Sequence, residues 1–193
     1  MALTKVIGAG AEGLTLSSTS LTVANGLTLT DGDVTLASGH GLNFAATADT
    51  SVSGASMASE LLHDYEEGTW TPSWSNGFTS LSYALQRGSY SKVGSVVLIQ
   101  GDLKFTGTNA GAQLVLTGLP FTAAASNNGY ASSTAAIGYS TISTYANSTT
   151  PNLYVSPGSQ GIYFYAANGG VVSSNANASN DWIQFSAVYQ TES

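Results

Sequence analysis

Ten apolar residues between Leu14 and Phe44 come in pairs whose two members stand two positions apart. The pairs are Leu14/Leu16, Leu21/Val23, Leu27/Leu29, Val34/Leu36 and Leu42/Phe44. Side chains two positions apart lie on the same face of an extended segment, so each pair predicts a very short strand with a thin apolar face. Turn-forming residues such as Asn25-Gly26 and Asp31-Gly32 separate the pairs. The segment is therefore predicted to be an irregular β repeat.

Each strand of this repeat is too small to build a core, so its apolar face needs a partner. Three copies of the chain wound about a common axis would enclose all ten residues in a shared interior, as in a trimeric β stalk. Two hairpins that complete a sheet in the following domain would also cover them. The pattern alone favours neither arrangement.

The remainder of the chain also has the composition of a β protein. Ser, Thr and Asn fill 62 of the 193 positions and charged residues only 8%, so the charged residues that favour helices are scarce. The strongest strand predictions are Tyr83 to Val93 and Ser95 to Phe105, with a turn at Gly94. Further strands are predicted at Thr69 to Ser75, Ala112 to Leu116, Gly129 to Tyr139, Asn152 to Ser156, Gly161 to Ala167 and Trp182 to Gln190. Seven or eight strands separated by turns predict an all-β fold, an antiparallel, jelly-roll-like β-sandwich.

The first of these strands carries a further signal. In Thr69 to Ser75, the side chains of Trp70, Pro72 and Trp74 fall on one face. Proline cannot donate a backbone hydrogen bond to a neighbouring strand, so its presence indicates the edge of a sheet. We therefore expect an apolar edge strand at this point.

Charge and aromatic residues divide the chain near Gly68. Residues 1–67 hold eight acidic side chains and one lysine, whereas the rest holds three acidic and three basic ones. Nine of the ten tyrosines and all three tryptophans follow residue 67. Ser59 could cap a short helix in which Leu61 and Tyr65 share a face. These features predict an N-terminal attachment arm and short stalk at 1–44, a linker or collar with a short helix at 45–67, and a β head at 68–193.

The net charge of −7 argues against nucleic acid as a partner, because binding a phosphate backbone requires clustered cations. The sequence has no cysteine, which excludes disulfides, thiolate metal sites and thiol nucleophiles. Neither a signal peptide nor a run of about 20 apolar residues is recognisable. We therefore expect a soluble protein that is made in the cytoplasm and does not bind membranes.

Side chains suited to catalysis are sparse. Glu66 and Glu67 are adjacent, so on a strand they point to opposite faces and cannot flank one bond as glycan hydrolysis requires. The predicted head holds Asp102, Asp181 and Glu192 and no histidine, which leaves little for general acid-base chemistry. We expect no catalytic residue, no metal site and no cofactor. A glycan-cleaving spike remains the enzymatic alternative.

Two tyrosines are candidates for contact with a partner. In Ile162 to Tyr165 the alternation of a strand places Tyr163 and Tyr165 on the face opposite Phe164. If Phe164 is inside, both tyrosines lie at the surface. Tyrosine is enriched where subunits meet, and its ring can also stack on a sugar. We therefore expect Tyr163 and Tyr165 at a chain interface, with contact to a glycan as the alternative.

Four segments of the chain resemble parts of a known class of proteins. Asp64 to Pro72, DYEEGTWTP, resembles the string that opens the terminal head module of many bacteriophage fibre-like virion proteins. Gly88 to Gly94, GSYSKVG, is similar to that module's G-x-Y-x-K-[VI]-G strand, and Gly118 to Phe121 to its GLPF turn. Gly41 to Phe44 is similar to the GIxF that often closes the shaft. The resemblance implies a trimeric, non-enzymatic phage surface protein with a β-sandwich head.

The shortness of the predicted stalk bears on its position in the virion. Residues 14–44 span only about 100 Å even when pulled straight, and we expect no adaptor domain before them, whereas a tail fibre needs both reach and an adaptor. We therefore expect a homotrimeric capsid decoration or cement protein on the capsid exterior, bound to the major capsid protein. The alternative is a tail-fibre receptor-binding protein that joins tail proteins and recognises host cell-surface carbohydrate.

Overall fold

The computed structural model describes residues 33–37, 40–43, 61, 62, 64–125, 133–142, 145–148 and 150–192. The chain separates into two compact units, Met1–Ala37 and Ser38–Ser193. In the first unit, residues 33–37 form no regular secondary structure, and Val34 and Leu36 are 59% and 46% exposed. The predicted strand at Val34/Leu36 is therefore not found. Seven other predicted stalk residues lie outside the described residues: Leu14, Leu16, Leu21, Val23, Leu27, Leu29 and Phe44.

The second unit begins with a small two-stranded sheet. Strand β1 (Leu42–Asn43) pairs antiparallel with β2 (Leu61–Leu62). Leu42 is 51% exposed in the single chain. This pairing corrects the short helix expected around Leu61 and Tyr65, since seven residues are too few to form a stable helix against a competing strand pairing. The hairpin alternative required these strands to extend the larger sheet. Within the described residues, however, β1 pairs with β2 alone.

Nine further strands form one large antiparallel sheet. They are β3 (Tyr65–Trp70), β4 (Ser73–Asn76), β5 (Phe78–Val93), β6 (Val96–Asn109), β7 (Val115–Thr117), β8 (Thr134–Ser140), β9 (Asn152–Val155), β10 (Gly161–Tyr165) and β11 (Ala178–Gln190). Their order across the sheet is β3-β5-β6-β11-β8-β9-β10-β7-β4. The prediction of an all-β, antiparallel fold is confirmed, and no helix is found among the described residues. In that part of the chain there is accordingly no helix long and apolar enough to cross a membrane.

The two edge strands of this sheet are consecutive in the chain. Strand β3 ends at Trp70 and β4 begins at Ser73, yet they occupy opposite edges. The linking residues Thr71 and Pro72 reach only about 10 Å, so the end of β3 must lie close to the start of β4. The sheet therefore curls, and it forms a half-barrel. The single edge strand predicted at Thr69 to Ser75 is correct only in part. The strand breaks at Thr71 and Pro72, so the two ends of this segment belong to β3 and β4 at opposite edges of the sheet, and Pro72 lies in neither strand. Trp70, Pro72 and Trp74 are all buried.

Aromatic side chains fill the inside of the curl. The ring of Trp74, on the edge strand β4, lies 5.3 Å from Phe78, 5.4 Å from Phe105 and 5.5 Å from Phe164. These partners come from β5, β6 and β10, so one edge residue contacts strands from both halves of the sheet. The backbone N–H of Trp74 donates to the Tyr83 hydroxyl at 2.8 Å. The edge strand is thus held by packing and by a hydrogen bond.

Alternation gives the long strands an inner, buried face and an outer face. On β6, Val97, Ile99, Gly101, Leu103 and Phe105 are buried, whereas Leu98 and Gln100 are exposed on the outer face. Asp102, on the outer face, is buried as well. Strand β11 alternates in the same way and pairs with β6 along almost its whole length. The hairpin predicted around Gly94 joins β5 to β6, and Gly94 there has a φ of 57°, which glycine adopts without strain.

Candidate functional site

The segments that carry the resemblance meet in space. Strand β3 holds YEEGTW and pairs with the GSYSKV part of β5, which sets Gly68 opposite Tyr90 and Glu66 opposite Lys92. The Tyr90 phenol lies across Gly68, where a Cβ atom would stand 2.7 Å from the ring. The Tyr90 hydroxyl donates to the Glu66 carboxylate, and this bond raises the tyrosine's pKa. The glycine and the tyrosine therefore form one packing unit.

Lys92 joins the third segment to this unit. Its side chain is 5% exposed and its ammonium group pairs with the carboxylate of Asp64. The same nitrogen lies 5.5 Å from the centroid of the Phe121 ring, which packs edge to face with Tyr90 at 5.4 Å. We call Asp64, Glu66, Gly68, Tyr90, Lys92 and Phe121 the signature cluster. Its members hold strands together, because each charged or polar group contacts another member.

Two more glycines of the resembling segments make room for their neighbours. A Cβ at Gly88 would overlap the indole of Trp70, and a Cβ at Gly118 would stand 2.6 Å from the carbonyl oxygen of Thr71. Gly118 also has a φ of 95°, a conformation that other residues rarely adopt. Packing thus accounts for Gly68, Gly88 and Gly118, whereas Gly94 is accounted for by its φ of 57°.

A groove crosses the outer face of the sheet beside the signature cluster. Its volume is about 620 Å³, and it is lined by Thr69, Arg87, Gly88, Ser89, Gln100, Gly101, Asp102, Gly138, Gln184, Phe185 and Ser186. We call it the outer groove. The register between β11 and β8 shifts between Gln184 and Phe185, at the level of Gly138. Such bulges bend a strand locally and are frequent next to functional sites.

Asp102 is the charged centre of this groove. It sits on β6 between Arg87 of β5 and Gln184 of β11, each directly opposite it in the register. Its Oδ2 accepts from Arg87 Nε at 3.0 Å and Nη2 at 2.7 Å, and its Oδ1 accepts from the indole N–H of Trp182. Burial, the largest single influence, raises the pKa of Asp102, but the hydrogen bonds from Trp182, Arg87 and Gln184 outweigh it and lower the pKa overall. Asp102 is therefore an ionised anchor.

Aromatic side chains stand at one end of the groove. Tyr139 is opposite Gln184 in the β8–β11 register and is 48% exposed. Its ring meets that of Trp182 edge to face at 5.7 Å, and the Lys104 ammonium group lies 5.8 Å from the Trp182 ring. The exposed ring of Tyr139 thus borders a groove whose walls are polar.

The acidic residues considered for catalysis are not brought together. Asp181 stands opposite Phe105 in the register, and burial, partly offset by a hydrogen bond from Thr141, raises its pKa. Glu66 accepts from Tyr90, whereas Glu67 pairs with the hydroxyl of Tyr65. Asp102 is the only carboxylate among the described residues that line the groove. The described residues also contain no group of three or more acidic or histidine side chains that could hold a metal ion.

The predicted contact tyrosines lie elsewhere on the outer face. Phe164 is fully buried and Tyr163 and Tyr165 are half-buried on the opposite face of β10, as the alternation predicts. Tyr154 of β9 stands opposite Tyr163, and its ring lies 6.1 Å from that of Tyr165. These three tyrosines form a second aromatic group. It lies on β9 and β10, beyond β8, which is the last strand that lines the groove.

Exposed apolar side chains form a band on the outer face at the end where β3 begins. The band consists of Tyr65, Val93, Val96, Leu98 and Val188, which are 41–66% exposed. The register sets Tyr65 opposite Val93, Val93 opposite Val96, and Leu98 opposite Val188. We call these five residues the apolar band. Contiguous apolar surface of this kind is typical of an interaction site.

The sequence-based search missed the groove. Its main residues, Arg87 and Asp102, are 15 positions apart, and Trp182 lies 80 positions beyond Asp102, so no local motif joins them. Two signals did exist: Arg87 is the only arginine in the sequence, and Gly88 and Gly101 interrupt the two strongest strands. A glycine inside a strand often marks a bend or a close approach of another group.

Comparisons with protein-family models, with curated proteins and with solved structures found no match.

Proposed function

We propose that this chain is a non-enzymatic structural protein of a bacteriophage virion, which forms a homotrimer and decorates the outer capsid surface. The proposal rests on the resemblance of DYEEGTWTP, GSYSKVG and GLPF to the head module of phage fibre-like proteins. The observation that carries it is the convergence of these three separate segments in the signature cluster. Their contacts support the interpretation of the three segments as one structural unit.

The apolar band supports assembly into trimers. Its five side chains are exposed in the single chain, in a protein whose polar residues are mostly Ser, Thr and Asn. Association of copies would remove this surface from water, at roughly 25 cal/mol for each Å² of apolar area. Leu42, Val34 and Leu36 are exposed as well, as expected for stalk residues that need neighbouring chains.

For the head, we propose the jelly-roll-like β-sandwich that the resemblance implies. The two halves of the curled sheet would serve as its layers, with Trp74, Phe105 and Phe164 between them. The sheet is continuous through β11 and β8, so the layers would be joined at one side. This arrangement leaves the outer face free for contact with neighbours and with the host.

We place the protein on the capsid exterior, bound to the major capsid protein, and not on the tail. This placement follows the sequence-based expectation for the stalk, whose residues 14–44 span at most about 100 Å. Attachment through the acidic N-terminal part would leave the head, which is formally neutral from Gly68 onward, projecting outward. A tail-fibre receptor-binding role, with tail proteins as partners, is the competing proposal.

Light scattering on the purified full-length chain tests the trimer. The expected mass is three times the chain mass of 19.6 kDa. Leu98→Asp in the apolar band is expected to release monomers, whereas Thr108→Asp, an exposed change on the outer face of the same strand, is expected to leave the trimer intact. A wild-type protein that is monomeric at all concentrations contradicts the proposal.

Electron cryomicroscopy of the virus particle tests the position. Density for three heads above sites on the capsid shell supports decoration. Density found only at the tail overturns the capsid assignment and favours the receptor-binding alternative. Deletion of residues 1–13 is expected to abolish attachment to particles while trimers persist.

A further inference from the structure

We propose that the outer groove is a binding site for an uncharged saccharide. This inference deepens one part of the proposed function, contact of the head with the host surface, and rests on it for its biological setting alone. The binding itself depends only on the residues of the groove. Neither the trimer nor the capsid attachment is needed for it.

The size and lining of the groove suit a small polar ligand. Its volume of about 620 Å³ falls within the roughly 300–1,000 Å³ usual for ligand sites. The side chains on its walls are hydroxyls and amides, those of Thr69, Ser89, Gln100, Gln184 and Ser186. Such groups donate and accept hydrogen bonds without charge, as the hydroxyls of a sugar do. The walls therefore match a ligand with many hydroxyl groups.

Arg87 supplies a donor whose position is fixed in advance. Two of its five N–H groups are engaged by Asp102 at 3.0 and 2.7 Å, so three are left for a ligand. The side chain is nonetheless 67% exposed, while that of Asp102 is 11% exposed. Asp102 thus fixes the guanidinium through Nε and Nη2, and the remaining N–H groups of Arg87, a lining residue of the groove, are available to a ligand. A preoriented donor of this kind lowers the entropy lost on binding.

The charges in and around the groove favour an uncharged ligand. The positive charge of Arg87 is balanced by Asp102, its ion-pair partner, so the pair offers hydrogen bonds with little net charge. The whole chain carries a net charge of −7, which repels polyanions at long range. A neutral saccharide needs no unbalanced charge in the groove and is not repelled by the charge of the chain.

Tyr139 offers the apolar contact that sugar recognition also uses. It is not part of the groove lining but lies next to two lining residues, Gly138 in the chain and Gln184 in the register, and it is 48% exposed. Its edge-to-face contact with Trp182 at 5.7 Å fixes the plane of the ring. The carbon-bound hydrogens of a sugar ring can pack on its free surface while the hydroxyls bond to the walls. The groove and Tyr139 together present both kinds of contact.

Gly138 provides a way to block the groove without dismantling it. A Cβ added there would meet only the carbonyl oxygen of Gln184, at 3.9 Å, and its φ lies outside the left-handed range. Gly138→Val therefore places two methyl groups in the groove in a backbone that accepts them. The Arg87–Asp102 pair and the core remain as they are.

The experiment is a binding titration of the purified, full-length protein with gluco-, manno- and galacto-hexaoses, followed by amide NMR and calorimetry. A hexamer of galacturonic acid serves as the charged comparison. We expect shifts at the groove residues with at least one neutral hexaose and weaker binding of the charged one. Gly138→Val and Arg87→Gln are each expected to weaken binding about tenfold or more.

Two control variants isolate the groove. Thr108→Ala removes a hydroxyl from the outer face of β6 outside the groove lining, and Tyr163→Ala removes a ring from the second aromatic group. Both are expected to change the affinity less than twofold. The proposal is overturned if no neutral hexaose shifts the groove residues, if only the charged hexamer binds, or if Gly138→Val binds as the wild type does. Since the titration uses no virus particle, its failure leaves the capsid assignment to the cryomicroscopy test.

Discussion

Gly88 lies flat beneath the indole of Trp70, whose ring N–H donates to the backbone carbonyls of Ser89 at 3.3 Å and Gln100 at 3.1 Å. Trp70 stands on the edge strand β3, and the two carbonyls belong to β5 and β6. The tryptophan therefore ties the first three strands of the sheet together from the inside. This contact requires glycine at position 88, because a Cβ atom there would overlap the Trp70 ring.

Gly88→Ala is expected to lower the free energy of unfolding by about 1 to 3 kcal/mol, the usual cost of overpacking a core. The added methyl group would overlap the Trp70 ring, which cannot move without losing its hydrogen bonds. Urea denaturation followed by tryptophan fluorescence measures the change. Gly138→Ala is the matched control, because its Cβ has open space, and it is expected to change stability by less than about 0.5 kcal/mol. Equal effects of the two changes would contradict the packing argument.

Lys92 is expected to matter through its packing more than through its charge. Its partner Asp64 is 52% exposed, and exposed ion pairs contribute at most about 1 kcal/mol. Lys92→Met keeps the stem against Phe121 and should cost less than about 1.5 kcal/mol, whereas Lys92→Ala leaves a cavity and should cost about 2 kcal/mol or more. Thermal unfolding of both variants measures the difference. Equal losses in the two variants, which both remove the charge, would show that the charge dominates.

Two aspartates are expected to act on acid stability in opposite directions. The pKa of Asp102 is lowered in the folded protein, so the stability from its ionised form is present above the ordinary value of 3.8 and is lost as the pH falls through the folded value. Asp102→Asn should therefore cost about 1 to 2 kcal/mol at pH 7, between the values for exposed and buried pairs, and less at acid pH.

Asp181 provides the control for this pH dependence. Its pKa is raised above 3.8 by burial, so ionisation destabilises the folded state at neutral pH. Asp181→Asn is expected to stabilise the protein slightly at pH 7, and this gain should vanish as both states become protonated. Urea titrations between pH 3 and about pH 7 measure both variants. Destabilisation by both changes at pH 7 would contradict the assignment.

Tyr189 is expected to limit stability in alkali. Its hydroxyl donates to the carbonyl of Phe121 at 3.1 Å, and burial raises its pKa to about 12. The unfolded chain releases this proton near 10.0, so folding stability is unaffected below that pH and is lost as the pH rises from about 10 to 12. Tyr189→Phe should lose about 1 kcal/mol at pH 7 and show a shallower alkaline decline by circular dichroism. An unchanged decline would contradict the role of Tyr189.

Much of the strand pattern of the head was predictable because it depends on local alternation. The β5–β6 hairpin follows from two long alternating segments around Gly94. Trp70, Pro72 and Trp74, predicted to share one face, are all buried, although the strand predicted across them is broken at Thr71 and Pro72. The start of β5 was not predictable, because register shifts between Thr79 and Ser82 and between Tyr83 and Leu85 break the alternation. Periodicity fails where a bulge inserts a residue.

Features that depend on distant pairing were not predictable. The helix expected around Leu61 was wrong because residues about 20 positions earlier pair with it as a strand. The curl of one sheet into a half-barrel depends on β4 meeting β7, which no local pattern encodes. The outer groove likewise joins β5, β6, β8 and β11. Sequence reasoning reached only as far as the contacts between neighbouring segments.

The two-residue connection at Thr71 and Pro72 couples the strand registers at the two edges of the sheet. Strand β3 is fixed to β5 and β4 to β7, so a slip of two residues in one pairing would move the other by about 7 Å. Neither edge can slide unless the opposite edge slides with it. A wrong register of β3 on β5 therefore also forces a wrong register of β4 on β7. The short connection thus favours the correct register at both edges of the sheet.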